Sequence, residues 1–221
     1  MEKLFTEADR ERIRQAVAEA EGKTSGEVVP VVMPQSGRYE VAVWRGASLA
    51  ALLALALEGL VYQVYAGWGL AWLYTGWGTA LLTVVAGTLG ALLAHVVPPL
   101  KRLLTGPRLL DETVHRRAMQ AFVEEEVFNT RDRTGILLFI SLFERRIEVL
   151  GDAGINARVS PDDWVEVVLT IREGIKAGRP ADGLVRAIGL CGKLLERKGV
   201  ERREDDTNEL SDALRLRRNP S

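Results

Sequence analysis

Hydrophobic and polar residues are distributed unevenly along this chain, because one long apolar stretch interrupts a sequence that is otherwise rich in charged residues. From residue 46 to residue 100, only Glu58 carries a formal charge. A membrane-spanning helix needs about 20 consecutive apolar residues, and two runs of that length occur at residues 44–64 and 77–97. The pattern therefore predicts a transmembrane helical hairpin over residues 44–97.

The connection between the two runs supports a membrane location. Trp and Tyr favour the headgroup level of a bilayer, and Trp44 marks the interface opposite the hairpin tip. A pair of core helices in a soluble protein is the alternative, but each helix would then need a polar outer face, which neither run has. The aromatic residues that gather at the tip are Tyr62, Tyr65, Trp68, Trp72, Tyr74 and Trp77.

The basic residues that flank the hairpin predict its orientation. Arg38 and Arg45 precede the first run, and Lys101, Arg102 and Arg108 follow the second, whereas the tip carries no charge. Basic residues close to a membrane stay on the cytoplasmic side. The first forty residues are charged and lack the apolar segment of a signal peptide. We therefore expect a multi-pass protein of the inner (plasma) membrane with both termini in the cytoplasm.

Glu58 is an unusual residue for a membrane span. A charge at the centre of a spanning helix costs about 2.5–3.5 kcal/mol on insertion scales. In an antiparallel hairpin, Glu58 lies level with Thr79 and Thr83. One interpretation is a carboxylate that handles protons or ions. The other, which we favour, is a protonated Glu that hydrogen-bonds to a Thr or reaches the headgroups.

The charged parts of the chain alternate between helical and strand patterns. Thr6 is a helix cap with an acidic residue three places on, and Pro161 and Pro180 suit the first turn of a helix. Strand 27–33 contains Pro30, which predicts an edge strand or a bulge. The predicted elements are, in order, a helix from Thr6 to Gly22, a strand at 27–33, a helix at 110–128, strands at 134–141 and 146–150, and helices from Ser160 to Gly178 and from Pro180 to Gly199.

The strand at 134–141 predicts the architecture, since a continuous apolar strand is buried on both faces and needs a helical layer on each side. The chain is thus predicted to have an α/β fold, with a small mixed sheet sandwiched between helices and interrupted by the transmembrane hairpin. The strand at 146–150 is the predicted antiparallel partner of the strand at 134–141. The last residues are expected to be disordered, or to form a short basic helix on anionic lipid. The predicted domains are residues 1–43 and 98–197 for the two parts of the α/β domain, 44–97 for the hairpin and 198–221 for the charged tail.

Composition excludes several functional classes. The chain has two His and one Cys, and none of these has the spacing of zinc ligands. The net charge is −1, and no basic face is concentrated enough to indicate nucleic-acid binding. The glycines of the hairpin tip do not lie between a strand and a helix, so they are not a phosphate-binding loop. No catalytic residues can be assigned.

Two parts of the sequence resemble the TPM domain family, which includes thylakoid-lumen proteins linked to photosystem II repair and many bacterial membrane proteins. They are TSGEVV at 24–29, and TGILLFIS at 134–141 followed by ERRIEV at 144–149 and GDAGI at 151–155. The resemblance covers residues 3–36 and 112–197. It implies a sheet sandwiched between helices, and the weak acid phosphatase activity and divalent-cation binding attributed to plant members. Thr134 stands where many relatives have Asn, and the internal hairpin replaces a signal peptide with a terminal anchor.

Three acidic residues form a candidate site for Ca²⁺ or Mg²⁺, which prefer oxygen ligands. Asp132 precedes the first buried strand and Asp152 follows its antiparallel partner, so both are expected at the same end of the sheet. Asp162 opens the next helix and can reach that end. The structural alternative makes Asp152 a turn residue, and Asp162 and Asp163 helix-cap residues.

Two functions remain open from the sequence. The first is a binding or scaffold module at the cytoplasmic membrane face, with the lipid bilayer and a protein in the membrane as partners. The second is a membrane-anchored, divalent-metal-dependent acid phosphatase-like enzyme. Whether the chain is an enzyme, and what Glu58 does, is not determined by these patterns.

Overall fold

The computed structural model describes residues 4–65, 71–200, 202 and 208–217. The chain divides into two compact units, an α/β domain formed by Met1–Gly37 and Glu112–Ser221, and a helical unit formed by Arg38–Asp111. The helical unit is longer than the predicted hairpin, because its first helix begins before Trp44 and an additional short helix follows Val97. Trp68 of the predicted hairpin tip lies outside the described residues.

Helices and strands follow one another along the described chain in nearly the predicted order. The helices are α1 Glu7–Glu21, α2 Glu40–Tyr65, α3 Gly76–Val96, α4 Pro98–Thr105, α5 Pro107–Glu124, α6 Ala153–Asn156, α7 Val165–Lys176 and α8 Pro180–Arg197. The strands are β1 Glu27–Met33, β2 Gly135–Ser141, β3 Arg146–Gly151 and β4 Arg215–Leu216. Two 3-10 turns, Ala71–Tyr74 and Pro161–Trp164, precede α3 and α7.

The four strands form one mixed sheet in the order β3-β2-β1-β4. β1 and β2 are parallel over seven residues, from the pair Glu27–Gly135 to the pair Met33–Ser141. β3 is antiparallel to β2, as the sequence predicts for a strand hairpin. The two central strands are buried along their whole length, which agrees with their continuous apolar sequences.

A helical layer covers each face of the sheet, which confirms that prediction. Alternate side chains of a strand point to opposite faces. Val28 and Ile136 face the larger core, which α1, α7 and α8 complete. Val29 and Leu137 face a smaller core, to which α5 contributes Val114, Ala118 and Ala121. The domain is thus a three-layer α/β fold.

The prediction of a disordered tail is wrong for the part of the tail that the structure describes. Residues 208–217 lie along the free side of β1, and we call this segment the C-terminal strap. Its residues 215 and 216 form β4 and pair with Val31 and Val32, so the tail forms a strand here and not a basic helix. The pairing begins directly after Pro30, which lacks the N–H group that a ladder needs. β1 is therefore an internal strand and not an edge strand.

The helical unit contains two long helices that pack through small residues. A Cβ atom on Gly90 would lie 2.4 Å from the carbonyl oxygen of Gly46, and one on Gly46 would lie 2.7 Å from Ala94 Cβ. Nearer the tip, Glu58 contacts Thr79, so α2 and α3 run antiparallel. Both helices are long and apolar enough to cross a membrane by length and composition.

Helix α4 occupies a segment that the sequence left without a predicted element. Pro98 follows the end of α3 and opens this new helix, where a missing N–H group does no harm. The Arg45 guanidinium donates to the carbonyl oxygens of Leu104 at 2.7 Å and Thr105 at 3.0 Å. Arg45 thus satisfies carbonyl groups that the end of a helix leaves unpaired.

Candidate functional site

The acidic end of the sheet has the backbone arrangement that the sequence predicts. The pair Ile136–Gly151 is the last of the β2–β3 ladder, and the N–H group of Asp152 donates to Gly135 O at 2.9 Å. The N–H group of Gly154 donates to Arg133 O at 2.9 Å. The segments around Asp132 and Asp152 therefore lie side by side.

The side chain that meets Asp152 is nevertheless that of Arg133. Arg133 Nη2 donates to Asp152 Oδ1 at 2.9 Å, and its Nε donates to Oδ2. Asp152 also caps α6, since its Oδ1 accepts from Ala153 N at 2.7 Å. Burial would raise the pKa of Asp152, but the hydrogen bonds from Arg133 and Ala153 outweigh burial and hold that pKa below its ordinary value. Asp152 is a paired, helix-capping carboxylate.

The other predicted metal ligands, Asp132 and Asp162, lie at the surface. Asp163 completes a capping box with Ser160 and lies 2.7 Å from Lys198 Nζ. Within the described ranges, no group of three His, Cys, Asp or Glu residues is close enough to hold a metal ion. The structure thus brings two of the predicted segments together without assembling three carboxylates.

The sequence patterns did not indicate a role for Arg133, which directly follows the predicted metal ligand Asp132. Arg133 adopts a left-handed backbone conformation, with φ of 56°. Residues other than Gly, Asn and Asp rarely do so, and no local signal in the sequence marks this arginine. The turn aims Arg133 toward the end of β3.

A second polar cluster lies at the opposite end of the sheet, beyond the carboxyl ends of β1 and β2. Glu144 Oε1 accepts from the backbone N–H group of Ser36 at 2.8 Å, and its Oε2 accepts from the Ser141 hydroxyl. The Ser36 and Ser141 hydroxyl oxygens are 2.6 Å apart. All three residues are buried, so their polar groups satisfy one another inside the domain.

A third cluster, also missed from the sequence, consists of two buried carboxyl groups beside the start of β1. Glu21 ends α1 and is 8% exposed, and Glu27 begins β1 and is 5% exposed. Glu21 Oε1 accepts from Val28 N at 2.8 Å, whereas Glu27 accepts from Glu209 N and Leu210 N of the C-terminal strap. Burial and the neighbouring charge of Glu27 raise the pKa of Glu21 to about 9.

In the helical unit, Glu58 has the partner that its level in the hairpin predicts. The Thr79 hydroxyl donates to Glu58 Oε1 at 2.5 Å. The Thr83 hydroxyl instead donates to the backbone oxygen of Thr79 at 2.8 Å. The contact agrees with the interpretation in which Glu58 hydrogen-bonds to a threonine, and the other oxygen, Oε2, is buried without a partner among the described residues.

Comparisons with known proteins identify the fold and no family. No family model matches the chain, and no curated protein matches it. The chain is similar to the NMR structure of the BA42 protein from the psychrophilic bacterium Bizionia argentinensis, with a TM-score of 0.58 and 19% sequence identity. The similarity covers 96% of this chain and 95% of that chain. At this identity the likeness shows a shared fold, and the resemblance to the TPM family stays a prediction.

Proposed function

We propose that this protein is a membrane-anchored binding or scaffold module. In this proposal, α2 and α3 cross the bilayer as a hairpin, and the chain on both sides of the hairpin forms a TPM-like α/β domain at the cytoplasmic face. The module binds a protein in the membrane. A metal-dependent phosphatase is not part of the proposal, because Arg133 and Ala153 engage the Asp152 carboxylate.

The observation that carries the proposal is the exposed apolar surface of α2 and α3. None of the apolar window of α2 is buried, and only 6% of that of α3 is buried. Core helices of soluble proteins are mostly buried, and contiguous apolar surfaces of this kind mark membrane or protein contacts. Leu53 on α2 is 69% exposed and Leu92 on α3 is 56% exposed.

The contact between α2 and α3 supports the same environment. Small residues let helix backbones approach closely, which is how helices associate in a bilayer, where lipid chains are as apolar as leucine. Gly46, Gly90 and Ala94 provide such a contact here. The pair therefore directs its small residues inward and its large apolar residues outward.

Insertion is tested by membrane extraction of the full chain. We expect the wild-type protein to stay in the membrane fraction during an alkaline carbonate wash and to dissolve only in detergent. The double variant Leu53→Arg/Leu92→Arg should be released by carbonate, since each arginine costs about 2.5–3.5 kcal/mol in the core of the bilayer. Val165→Arg is the matched control, because Val165 is an exposed residue of the α/β domain. Release of the wild-type protein by carbonate would contradict the proposal.

Orientation is tested separately, with topology reporters at Ser221 and within residues 67–76. The basic flanks predict a cytoplasmic signal from Ser221 and an external signal from the hairpin tip. An external signal from Ser221 would refute the inward-facing domain and leave insertion itself intact.

A further inference from the structure

The C-terminal strap is attached to the α/β domain first by backbone pairing and ion pairs, second by apolar packing, and third by the buried carboxyl pair. β4 pairs with only Val31 and Val32 of β1, and Arg217 N donates to Val32 O at 3.0 Å. Arg217 forms an ion pair with Glu124 at 3.0 Å, and Arg215 with Glu125 at 3.2 Å. Arg217 also contacts Glu125, and the strap residues Leu210, Leu214 and Leu216 pack against the two cores of the domain.

The third contact is made by the buried carboxyl pair. Glu27 Oε1 accepts from Glu209 N at 3.2 Å, and Glu27 Oε2 accepts from Leu210 N at 3.4 Å. Hydrogen bonds to an ionised carboxylate are about twice as strong as neutral ones. The negative charge of Glu27 therefore holds the beginning of the strap.

Glu21 determines whether that negative charge is tolerated. Its Oε2 is buried and has no hydrogen-bond donor among the described residues, and its contact with the Glu27 side chain favours the protonated form. A carboxylate oxygen in such a place loses its hydration without compensation, whereas a neutral carboxyl group is accommodated more easily. Two ionised carboxylates at this site would also repel each other. The geometry favours a neutral Glu21 beside an ionised Glu27.

The other charged groups around the pair do not reverse this preference. Asp212 of the strap faces Glu21 and disfavours its ionisation further. Arg14 of α1 interacts with Asp212 and with Glu11. Arg202 donates to the backbone oxygen of Gly22 at 3.2 Å, and Glu209 accepts from Arg131 N.

We propose that Glu21 is a proton-controlled latch for the C-terminal strap, which stays on β1 while Glu21 is protonated and leaves when Glu21 ionises at alkaline pH. The strap is the element that gives way, because it carries Asp212 toward the pair and its Glu209 and Leu210 N–H groups bond directly to Glu27. Its departure exposes one side of β1, and an open strand edge can accept another strand. The inference concerns the α/β domain and does not depend on insertion of the hairpin.

The latch is tested by fluorine NMR on the full chain in detergent, with a trifluoromethyl label on Ala213→Cys in the exposed part of the strap. Cys191 is fully buried and its thiol pKa is raised to about 12, so it is spared by the label. We expect the signal of the docked strap to convert to that of a free strap with a midpoint at a pH above the ordinary glutamate pKa and no higher than about 9. A second label on Lys193→Cys in α8 should keep its native signal throughout.

Matched variants separate the latch from other causes. Glu21→Gln should keep the strap docked beyond that midpoint, because the amide cannot ionise, whereas Glu19→Gln on the exposed side of α1 should leave the midpoint unchanged. Glu27→Gln should release part of the strap at neutral pH, since the charged acceptor is lost. Equal midpoints in wild type and Glu21→Gln, simultaneous change of the α8 label, or a midpoint that moves with added calcium ions would each overturn the latch.

Discussion

The backbone N–H group of Ser36 donates to Glu144 Oε1 at 2.8 Å, across 108 positions of sequence. Ser36 lies just before the helical unit and Glu144 lies well after it. The bond therefore joins the two segments of one domain at the end of the parallel pair β1 and β2. Loss of Glu144 should weaken both segments together.

We expect Glu144→Ala to lower the free energy of unfolding by about 2–3 kcal/mol, because it leaves the Ser36 N–H group and one of the two serine hydroxyl groups buried without an acceptor. Glu144→Gln keeps one acceptor oxygen and should cost less. Urea unfolding of the full chain in micelles, followed by circular dichroism, measures both. The control Glu148→Ala removes a partly exposed glutamate of β3 and should change stability by less than about 1 kcal/mol. An equal loss in Glu144→Ala and Glu148→Ala would mean that the buried network adds little.

The pair Arg133–Asp152 predicts a loss of stability in acid. The pKa of Asp152 is lowered, so its contribution is present above the ordinary aspartate pKa of about 3.9 and is lost as the pH falls below it. Asp152→Asn should therefore destabilise the domain at neutral pH and make little difference at about pH 2. Because Arg133 is 56% exposed, we expect a coupling energy of only about 1 kcal/mol in a double-mutant cycle with Arg133→Gln. Additive single effects would show that the two side chains act independently.

The raised pKa of Glu21 predicts that the stability of the domain falls as the pH rises, whereas the Arg133–Asp152 pair predicts a loss as the pH falls. The contribution of Glu21 to stability is fully present below the ordinary glutamate pKa and decreases as the pH rises toward about 9. Glu21→Gln removes this decrease, so it should be the more stable protein at about pH 8 by about 5 kcal/mol, and the difference should shrink toward about pH 5. Chemical unfolding at a series of pH values measures the difference. Parallel stability curves for the two proteins would contradict it.

The close contact of α2 and α3 predicts that added volume separates the helices. Gly90→Val places a Cβ atom at 2.4 Å from both Ala50 Cβ and Gly46 O, so the backbones must move apart. We expect faster disulfide cross-linking between introduced cysteines in wild type than in this variant, and a lower thermal midpoint in micelles. Gly59→Val is the matched control, because nothing lies within 4 Å of its Cβ position.

The hydrogen bond from Thr79 to Glu58 predicts that a polar contact stabilises the same helix pair. Thr79→Val leaves Glu58 Oε1 without its donor and should lower the thermal midpoint in micelles, at a cost of about 0.6–2 kcal/mol. Thr83→Val removes a hydroxyl that only donates to the Thr79 backbone oxygen, so its effect should be smaller. Equal effects of the two substitutions would indicate that the hydrogen bond from Thr79 to Glu58 adds no stability beyond that of an ordinary threonine hydroxyl in this helix.

Local signals predicted most of the fold. Thr6 caps α1 through the capping box that its spacing to Asp9 suggests, and the uninterrupted apolar sequence of β2 matches its complete burial. Such features depend on neighbours within a few positions, which a sequence displays directly.

The strap and the polar clusters could not be predicted, because each depends on residues that are distant in sequence. β4 has two residues and no period of its own, and its position follows from hydrogen bonds to Val32 and Glu27. The choice between Asp132 and Arg133 as the neighbour of Asp152 depends on one left-handed residue in a turn. Neither the position of β4 nor the left-handed conformation of Arg133 follows from a periodic pattern in the sequence.

The division of the α/β domain by the helical unit sets the order of events during synthesis. β1 ends at Met33, but its partner β2 begins only at Gly135, so about 100 residues must be made before the central pair can form. At about 5–20 residues per second, the ribosome needs roughly 5–20 s to make them. During that interval the apolar strand β1 has no partner, while the helical unit is being made. The cell must keep this strand from aggregating until the second half of its own domain emerges.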